Sequence, residues 1–255
     1  MSENPPTPNV IICGDSGSGK SSVINLISET HVAPISSGAA RCTPHYVRYP
    51  VRIQGAPFNL YDTAELEKEG RGDVDIVAQL YKLMIDLEDG VSLLVFCMGG
   101  PRIRVPTYSN WQISHEIFGK NVPIVIVITH LEQDVPMDNC WRKNKATFHK
   151  YGMVPFGHAC ITATRGKKDR SGRYMYEDEY EESRVKVSKL IEDTALAVPW
   201  KINRIQWLSE IATSLIGNRL CEAPEILVEM VQRCSMSKEE ARELAERLRG
   251  VWGQH

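Results

Sequence analysis

The chain has 255 residues, of which 42% are hydrophobic and 24% are charged, and its formal net charge is −2. This length suits one large α/β domain, or a domain of about 190 residues with a small appendage. The balanced charge gives no indication of a nucleic-acid partner. The longest apolar runs, such as Ile124 to Ile128, are far shorter than the ~20 residues that cross a membrane. We therefore expect neither a nucleic-acid partner nor a transmembrane segment.

The N-terminal residues and the cysteines indicate the cellular setting. Residues 1–8 are polar and rich in proline, which predicts a flexible tail and no signal peptide. The 7 cysteines are an odd number and show no CxxC spacing. Cys13 and Cys97 lie in apolar runs, where a thiol behaves as a small hydrophobic group. We therefore expect reduced thiols in a cytoplasmic protein.

Strand-like and helix-like patterns alternate along residues 9–198, which predicts a mostly parallel sheet covered by helices in a three-layer α/β fold. In chain order, the sequence predicts a strand at Val10–Cys13, a helix at Ser21–Ile27, strands at Tyr46–Arg52 and Phe58–Tyr61, a helix at Val74–Leu87, a strand at Val91–Cys97, a helix at Trp111–Phe118, a strand at Pro123–Thr129, a helix at Asp138–Tyr151 and a strand ending at Ile161.

Two charged segments and a change of pattern follow. The basic connection Arg165–Arg173 and the acidic stretch Glu177–Glu182 predict a solvated loop and a helix start. The alternative is that the basic loop contacts phosphate or an acidic partner. Beyond residue 198 strands stop, and amphipathic patterns predict a helical extension over 199–255, with Ser237 and Glu240 as a capping box. This extension either packs on the main domain or recruits a partner.

The strongest motif is Gly14-Asp15-Ser16-Gly17-Ser18-Gly19-Lys20-Ser21, which satisfies the phosphate-loop pattern G-x-x-x-x-G-K-[ST]. Its glycines let backbone N–H groups point at the α- and β-phosphates of a nucleotide. Lys20 would carry positive charge to the β/γ-phosphates, and the Ser21 hydroxyl would be a Mg²⁺ ligand. The following helix adds its positive N-terminal end, and Ser22 in its first turn is a further candidate nucleotide contact.

Two further candidates complete a Mg²⁺ site. Asp62 comes directly after the strand Phe58–Tyr61, where an aspartate can hold the metal through water. Thr43 lies in the polar loop before the second strand and can close on Mg²⁺ and the γ-phosphate. Ser36 and Ser37 are competitors for the role of Thr43.

A base-recognition candidate, Thr129-His130-Leu131-Glu132, follows the most apolar strand. The Glu132 carboxylate can accept two hydrogen bonds, from N1 and N2 of guanine, and adenine does not offer this pair of donors. Asp134 is the alternative for that role. His130 would stack on the base or donate a hydrogen bond, or else is an exposed loop residue.

With these motifs the chain resembles the Ras-like G-domain (TRAFAC) superfamily over residues 8–198. The P-loop start GDSGSGKSS and the Thr129-His130 ending are similar to the branch that contains septins, chloroplast Toc receptors and immunity-associated AIG1-like GTPases, and to fungal G-domain proteins. The resemblance implies GTP or GDP with Mg²⁺ as ligands. It also implies that Lys20 and Thr43 are catalytic, and that Thr162, Ala163 and Thr164 form the loop whose N–H meets guanine O6.

Two departures from the family pattern bear on activity. Glu65 replaces the glycine of D-x-x-G, and Leu66 replaces the glutamine that positions the attacking water. The sequence therefore predicts a slow GTPase acting as a switch or scaffold, with a homodimer through the nucleotide face and an unidentified effector. The alternatives are a nucleotide-binding scaffold without hydrolysis and a P-loop kinase or ATPase with Arg165–Arg173 as its lid.

Overall fold

The computed structural model describes residues 6–29, 33, 46–63, 73–87, 89–100, 105–119, 121–216 and 223–252. The chain forms two compact units, Met1–Glu67 with Val91–Trp200, and Lys68–Gly90 with Lys201–His255. Among the described residues, none of the helices combines the length and the apolar composition needed to span a bilayer. Thr43 and residues 64–72, which include Glu65 and Leu66, lie outside the described ranges.

The first unit contains a six-stranded sheet with the order β2-β3-β1-β4-β5-β6. All neighbours are parallel except the β2–β3 pair, so the predicted α/β fold with a mostly parallel sheet is confirmed. The strands are β1 (Asn9–Gly14), β2 (Tyr46–Ile53), β3 (Ala56–Thr63), β4 (Leu93–Gly99), β5 (Ile124–Thr129) and β6 (Gly157–Cys160).

The helices of the first unit are α1 (Lys20–Ser28), α3 (Val105–Phe118), α4 (Asn139–Lys150) and α5 (Glu177–Thr194). The central strands β1 and β5 are buried along their whole length, which explains their continuous Val and Ile runs. The short edge strand β6 packs against α5, where Val187 and Ile191 are fully buried.

Helix α3 begins at Val105, six residues before the predicted start at Trp111. The apolar pattern missed its first turns because the buried residues there, Thr107 and Asn110, are polar. Pro106 lies in the first turn, where a missing N–H costs no helical hydrogen bond.

The second unit contains α2 (Asp73–Asp86), α6 (Arg204–Ile216), α7 (Ala223–Arg233) and α8 (Lys238–Trp252). Within it the Tyr81 and Trp207 rings stack with centroids 5.7 Å apart. The predicted capping box is confirmed: Ser237 N–H donates to Glu240 Oε2 at 2.8 Å, and Glu240 N–H donates to Ser237 Oγ at 3.1 Å. The predicted domain boundary at residue 199 stays a prediction.

Candidate functional site

Strand ends converge at one edge of the sheet because five of the six strands run in parallel. The P-loop follows β1, Asp62 is the next-to-last residue of β3, and Thr129 ends β5. The predicted base-binding loop at 162–164 follows β6. In open α/β sheets this carboxyl edge is where ligands bind.

Gly14 opens the P-loop at a position that admits no side chain. Its φ is +136°, and an added Cβ would lie 2.0 Å from the carbonyl oxygen of Cys97 on β4. Gly17 and Gly19 also have positive φ, at +70° and +83°. Gly19 is the N-cap of α1 and provides no side-chain cap, so the first N–H groups of this helix suit a phosphate.

Lys20 is folded along the loop rather than extended into solvent. Its side chain is buried, and Nζ donates to the carbonyl oxygens of Gly14 and Asp15, each at 2.9 Å. These two carbonyls fix the ammonium group within the glycine-rich loop. A cation fixed in this way can stabilise phosphate charge without first losing side-chain entropy.

Ser21 and Asp62 meet as the sequence predicts for a Mg²⁺ site. Ser21 Oγ donates to Asp62 Oδ2 at 2.9 Å. Burial raises the pKa of Asp62, while the Ser21 hydrogen bond and the Lys20 charge oppose that rise. Hydroxyl and carboxylate oxygens are ligands that Mg²⁺ prefers, so this pair fits the metal. Thr43, the third predicted ligand, lies outside the described residues.

The carboxylate of Asp15 is directed away from the loop. Thr107 Oγ1 donates to Asp15 Oδ2, and Asn110 Nδ2 donates to Asp15 Oδ1 at 3.0 Å. Asp15, Thr107 and Asn110 are all buried. The side chain of Asp15 is therefore bound to α3, and its main chain is the part that contributes to the P-loop.

Thr129, the last residue of β5, and His130, which follows it, form hydrogen bonds with the P-loop. Thr129 Oγ1 donates to Ser18 O at 2.9 Å, and its methyl group lies where a Cβ on Gly19 would contact it at 3.3 Å. His130 has a φ of +60°, and its Nε2 is 3.0 Å from Gly17 O. Because a carbonyl oxygen only accepts, Nε2 carries the hydrogen of this bond.

Glu132 and the loop after β6 are joined by hydrogen bonds. Thr162 Oγ1 donates to Glu132 Oε1 at 3.0 Å and accepts from Thr164 N–H at 3.4 Å. The Thr162 N–H donates to Ser183 Oγ on α5 at 3.1 Å. Ala163 is half-buried between the two threonines. The structure thus brings the predicted guanine acceptor next to the predicted O6-binding loop.

The remaining predicted contacts are three serines in and just after the loop. Ser16 is exposed at the turn, and Ser22 is half-buried in the first turn of α1. Ser18 is buried, and its Oγ has no hydrogen-bond partner within the described part of the chain. The described ranges contain no cluster of three or more His, Cys, Asp or Glu side chains that could hold a metal.

The basic connection after the base-binding loop is a fixed hairpin. Lys168 and Tyr174 form a bridge, and Asp169 Oδ1 accepts from Ser171 N–H at 2.8 Å and from Arg173 N–H at 3.0 Å. At its base, Arg165 pairs with Glu177 at 3.1 Å and lies over the Tyr180 ring at 4.6 Å.

A family model described as 50S ribosome-binding GTPase matches residues 9–130, just under half of the chain. The chain is similar to Toc33 from Arabidopsis thaliana in complex with GDP and Mg²⁺, at 16% identity and a TM-score of 0.55, covering 75% of this chain and 88% of that chain. It is also similar to Era from Aquifex aeolicus bound to GDP and AlF4⁻, at 19% identity and a TM-score of 0.51, covering 82% and 67%. No curated protein sequence matches the chain.

The fold is that of a P-loop G domain. The matched GTPase family model supports guanine-nucleotide binding. Within the G domain, sequence reasoning missed the contacts of Asp15 with Thr107 and Asn110. A signal existed, since Thr107, Asn110 and the buried Trp111 are spaced i, i+3 and i+4 and so share one helix face.

Proposed function

We propose that this chain binds GTP and GDP with Mg²⁺ and hydrolyses GTP slowly, as a molecular switch or scaffold. The observation that carries the proposal is the hydrogen bond from Ser21 Oγ to Asp62 Oδ2 at 2.9 Å. It joins the end of the phosphate loop to the end of β3, 41 residues further along the chain. A P-loop serine and a strand-end aspartate in contact form the protein's part of a Mg²⁺–nucleotide site.

Guanine selectivity is assigned to Glu132. Its Oε1 accepts from Thr162, so the carboxylate is oriented by the loop proposed to meet guanine O6. Glu132 would accept from N1 and N2 of the base, while main-chain N–H groups at Thr162, Ala163 and Thr164 would donate to O6. Adenine presents a donor where guanine has O6 and lacks the N2 donor, so this arrangement favours guanine.

Phosphate binding is assigned to Gly14–Ser21. Lys20, fixed by two carbonyl oxygens, would stabilise the β- and γ-phosphates. Ser21 and Asp62 would hold Mg²⁺, with Thr43 as the proposed third ligand. When bound, Mg²⁺ supplies positive charge that neutralises the phosphate oxygens. Hydrolysis is proposed to be slow because Leu66 cannot orient a water molecule as a glutamine does.

The P-loop sequence and Thr129-His130 support the septin, Toc and AIG1-like branch. We propose a cytoplasmic protein that forms a homodimer through its nucleotide face and binds an effector protein.

Glu65 and Leu66 depart from the family pattern and so favour a second candidate function, a scaffold that binds GTP or GDP without hydrolysing it. A P-loop kinase or ATPase is less well supported, because its candidate lid at 165–173 is a hairpin tied down by Arg165, whose guanidinium pairs with Glu177 and Glu181.

The test is nucleotide binding by the purified chain with Mg²⁺, comparing GTP, GDP and ATP, followed by phosphate release from GTP. We expect GTP and GDP to bind at least about tenfold more tightly than ATP, since a lost buried hydrogen-bond pair costs 1–3 kcal/mol. Lys20→Ala should abolish binding, and Lys167→Ala on the exposed hairpin is the matched control. Binding without phosphate release would favour the scaffold, and an ATP preference would overturn the proposal.

A further inference from the structure

A buried aspartate, Asp15, lies inside the phosphate loop. Asp15 is the second residue of the loop, and its carbonyl oxygen accepts from Lys20 Nζ at 2.9 Å. Its carboxylate belongs to a different contact, with one oxygen bound to Thr107 and the other to Asn110 of α3. One residue therefore contacts both the phosphate-binding lysine and helix α3.

The position of the Asp15 carboxylate affects phosphate binding because the carboxylate and the phosphates are both negatively charged. A free carboxylate in a loop that receives phosphates would repel them, and repulsion between like charges is strong where water is excluded. Here both carboxylate oxygens are occupied by neutral donors from α3, which hold the negative charge on the helix side of the loop. The hydrogen bonds also offset the cost of burying the carboxylate.

We propose that helix α3 sets the nucleotide affinity of the P-loop by holding the Asp15 carboxylate away from the phosphates. Thr107 and Asn110 are positioning residues, because they act on the phosphates only through Asp15. The inference rests on the proposed nucleotide binding and adds its regulation. A ligand or partner that displaces α3 would release the carboxylate and weaken nucleotide binding, and bound nucleotide would in turn favour the docked helix.

The size of the effect depends on nucleotide charge. GTP carries more negative charge than GDP, so release of the carboxylate should weaken GTP binding more than GDP binding. A loss of affinity caused by the Asp15 charge should be relieved by neutralising that side chain, whereas a loss caused by local unfolding should not.

The experiment first removes the two hydrogen-bond donors of α3 and then removes the charge of Asp15. Thr107→Val with Asn110→Leu keeps side-chain volume but removes both donors. We expect Kd for GTP to rise about tenfold, a change of ~1.4 kcal/mol, with a smaller rise for GDP. Adding Asp15→Asn to the same chain should restore affinity to within about threefold of the unchanged protein. Gln112→Ala, on the exposed face of α3, is the control and should leave Kd unchanged.

Thr107→Val alone is the milder variant if the double change prevents folding, and thermal unfolding of each variant reports on fold. Weakened binding that Asp15→Asn does not restore would overturn the inference, and so would unchanged affinity in a folded donor-free variant. If the unchanged protein itself binds no guanine nucleotide, the proposed function fails instead, so the two failures are distinct.

Discussion

Ser21 on α1 and Asp62 on β3 share a hydrogen bond of 2.9 Å, in a place where burial raises the pKa of the aspartate. Ionised Asp62 is therefore less favourable in the folded chain than in the unfolded chain at neutral pH. Asp62→Asn keeps an oxygen that accepts from Ser21 but removes the charge. We expect unchanged or raised thermal stability together with at least about tenfold weaker Mg²⁺-dependent GDP binding. Calorimetry and binding with and without Mg²⁺ check the two effects; reduced stability would contradict the first.

The raised pKa of Asp62 also predicts a pH dependence. An acid with a raised pKa takes up its proton at a higher pH than the ordinary aspartate value of about 3.9. As the pH falls, the Mg²⁺-dependent part of GDP affinity should therefore decline before ordinary aspartates titrate. The contribution of Asp62 to folding has the opposite sign: it is favourable below the unfolded pKa and is lost as the pH rises through the folded pKa.

Asp62→Asn is the control for this profile, since it has no proton to take up. The GDP affinity of that variant should show no Mg²⁺-dependent change over the same pH interval. A decline of equal size in both proteins would assign the effect to another group.

Gly14 and Gly17 offer a matched pair of substitutions in one loop. Gly14→Ala would place a Cβ 2.0 Å from Cys97 O, whereas an added Cβ at Gly17 has no atom within 4 Å. We expect Gly14→Ala to cost at least about 3 kcal/mol in unfolding free energy, from both overlap and backbone strain. Gly17→Ala should cost only about 1–2 kcal/mol, from its positive φ. Urea unfolding measures both, and equal costs would contradict the close packing of β1 against β4.

Glu132 and Asp134 are the two carboxylates proposed for base recognition, and only Glu132 contacts Thr162 among the described hydrogen bonds. Glu132→Ala should reduce the preference for GTP over ATP by at least about tenfold, because guanine N1 and N2 lose their acceptor. Asp134→Ala should leave the preference unchanged. Competition binding of GTP and ATP checks both. Loss of selectivity in the Asp134 variant alone would reassign the base contact.

The sequence predicted the centre of the sheet well because the strands there, β1, β4 and β5, are buried on both faces and form nearly continuous apolar runs. Ile124 to Thr129 is the clearest case. It also predicted residues that the fold brings together, Ser21 with Asp62 and Glu132 with Thr162, because motif order reports position along a parallel sheet.

The contacts that the sequence did not predict involve buried polar residues. The first turns of α3 bury Thr107 and Asn110, which are polar and give no apolar signal. The two partners of the Asp15 carboxylate, Thr107 and Asn110, lie 92 and 95 residues away. The helical spacing could place them on one face of α3, but it could not identify Asp15 as their partner. His130 was left with several roles, and its bond to Gly17 O depends on a backbone conformation with positive φ that composition does not reveal.

The two outer strands of the sheet have a consequence for how copies of the protein associate. β2 carries Pro50 at its middle and two exposed arginines, Arg48 and Arg52, and β6 has only four residues. Proline cannot donate to an incoming strand, and short or charged borders discourage strand addition. Extension of the sheet into a continuous fibre is therefore disfavoured at both borders. Copies of the protein would therefore associate through side-chain surfaces, and a bound ligand can change such a surface.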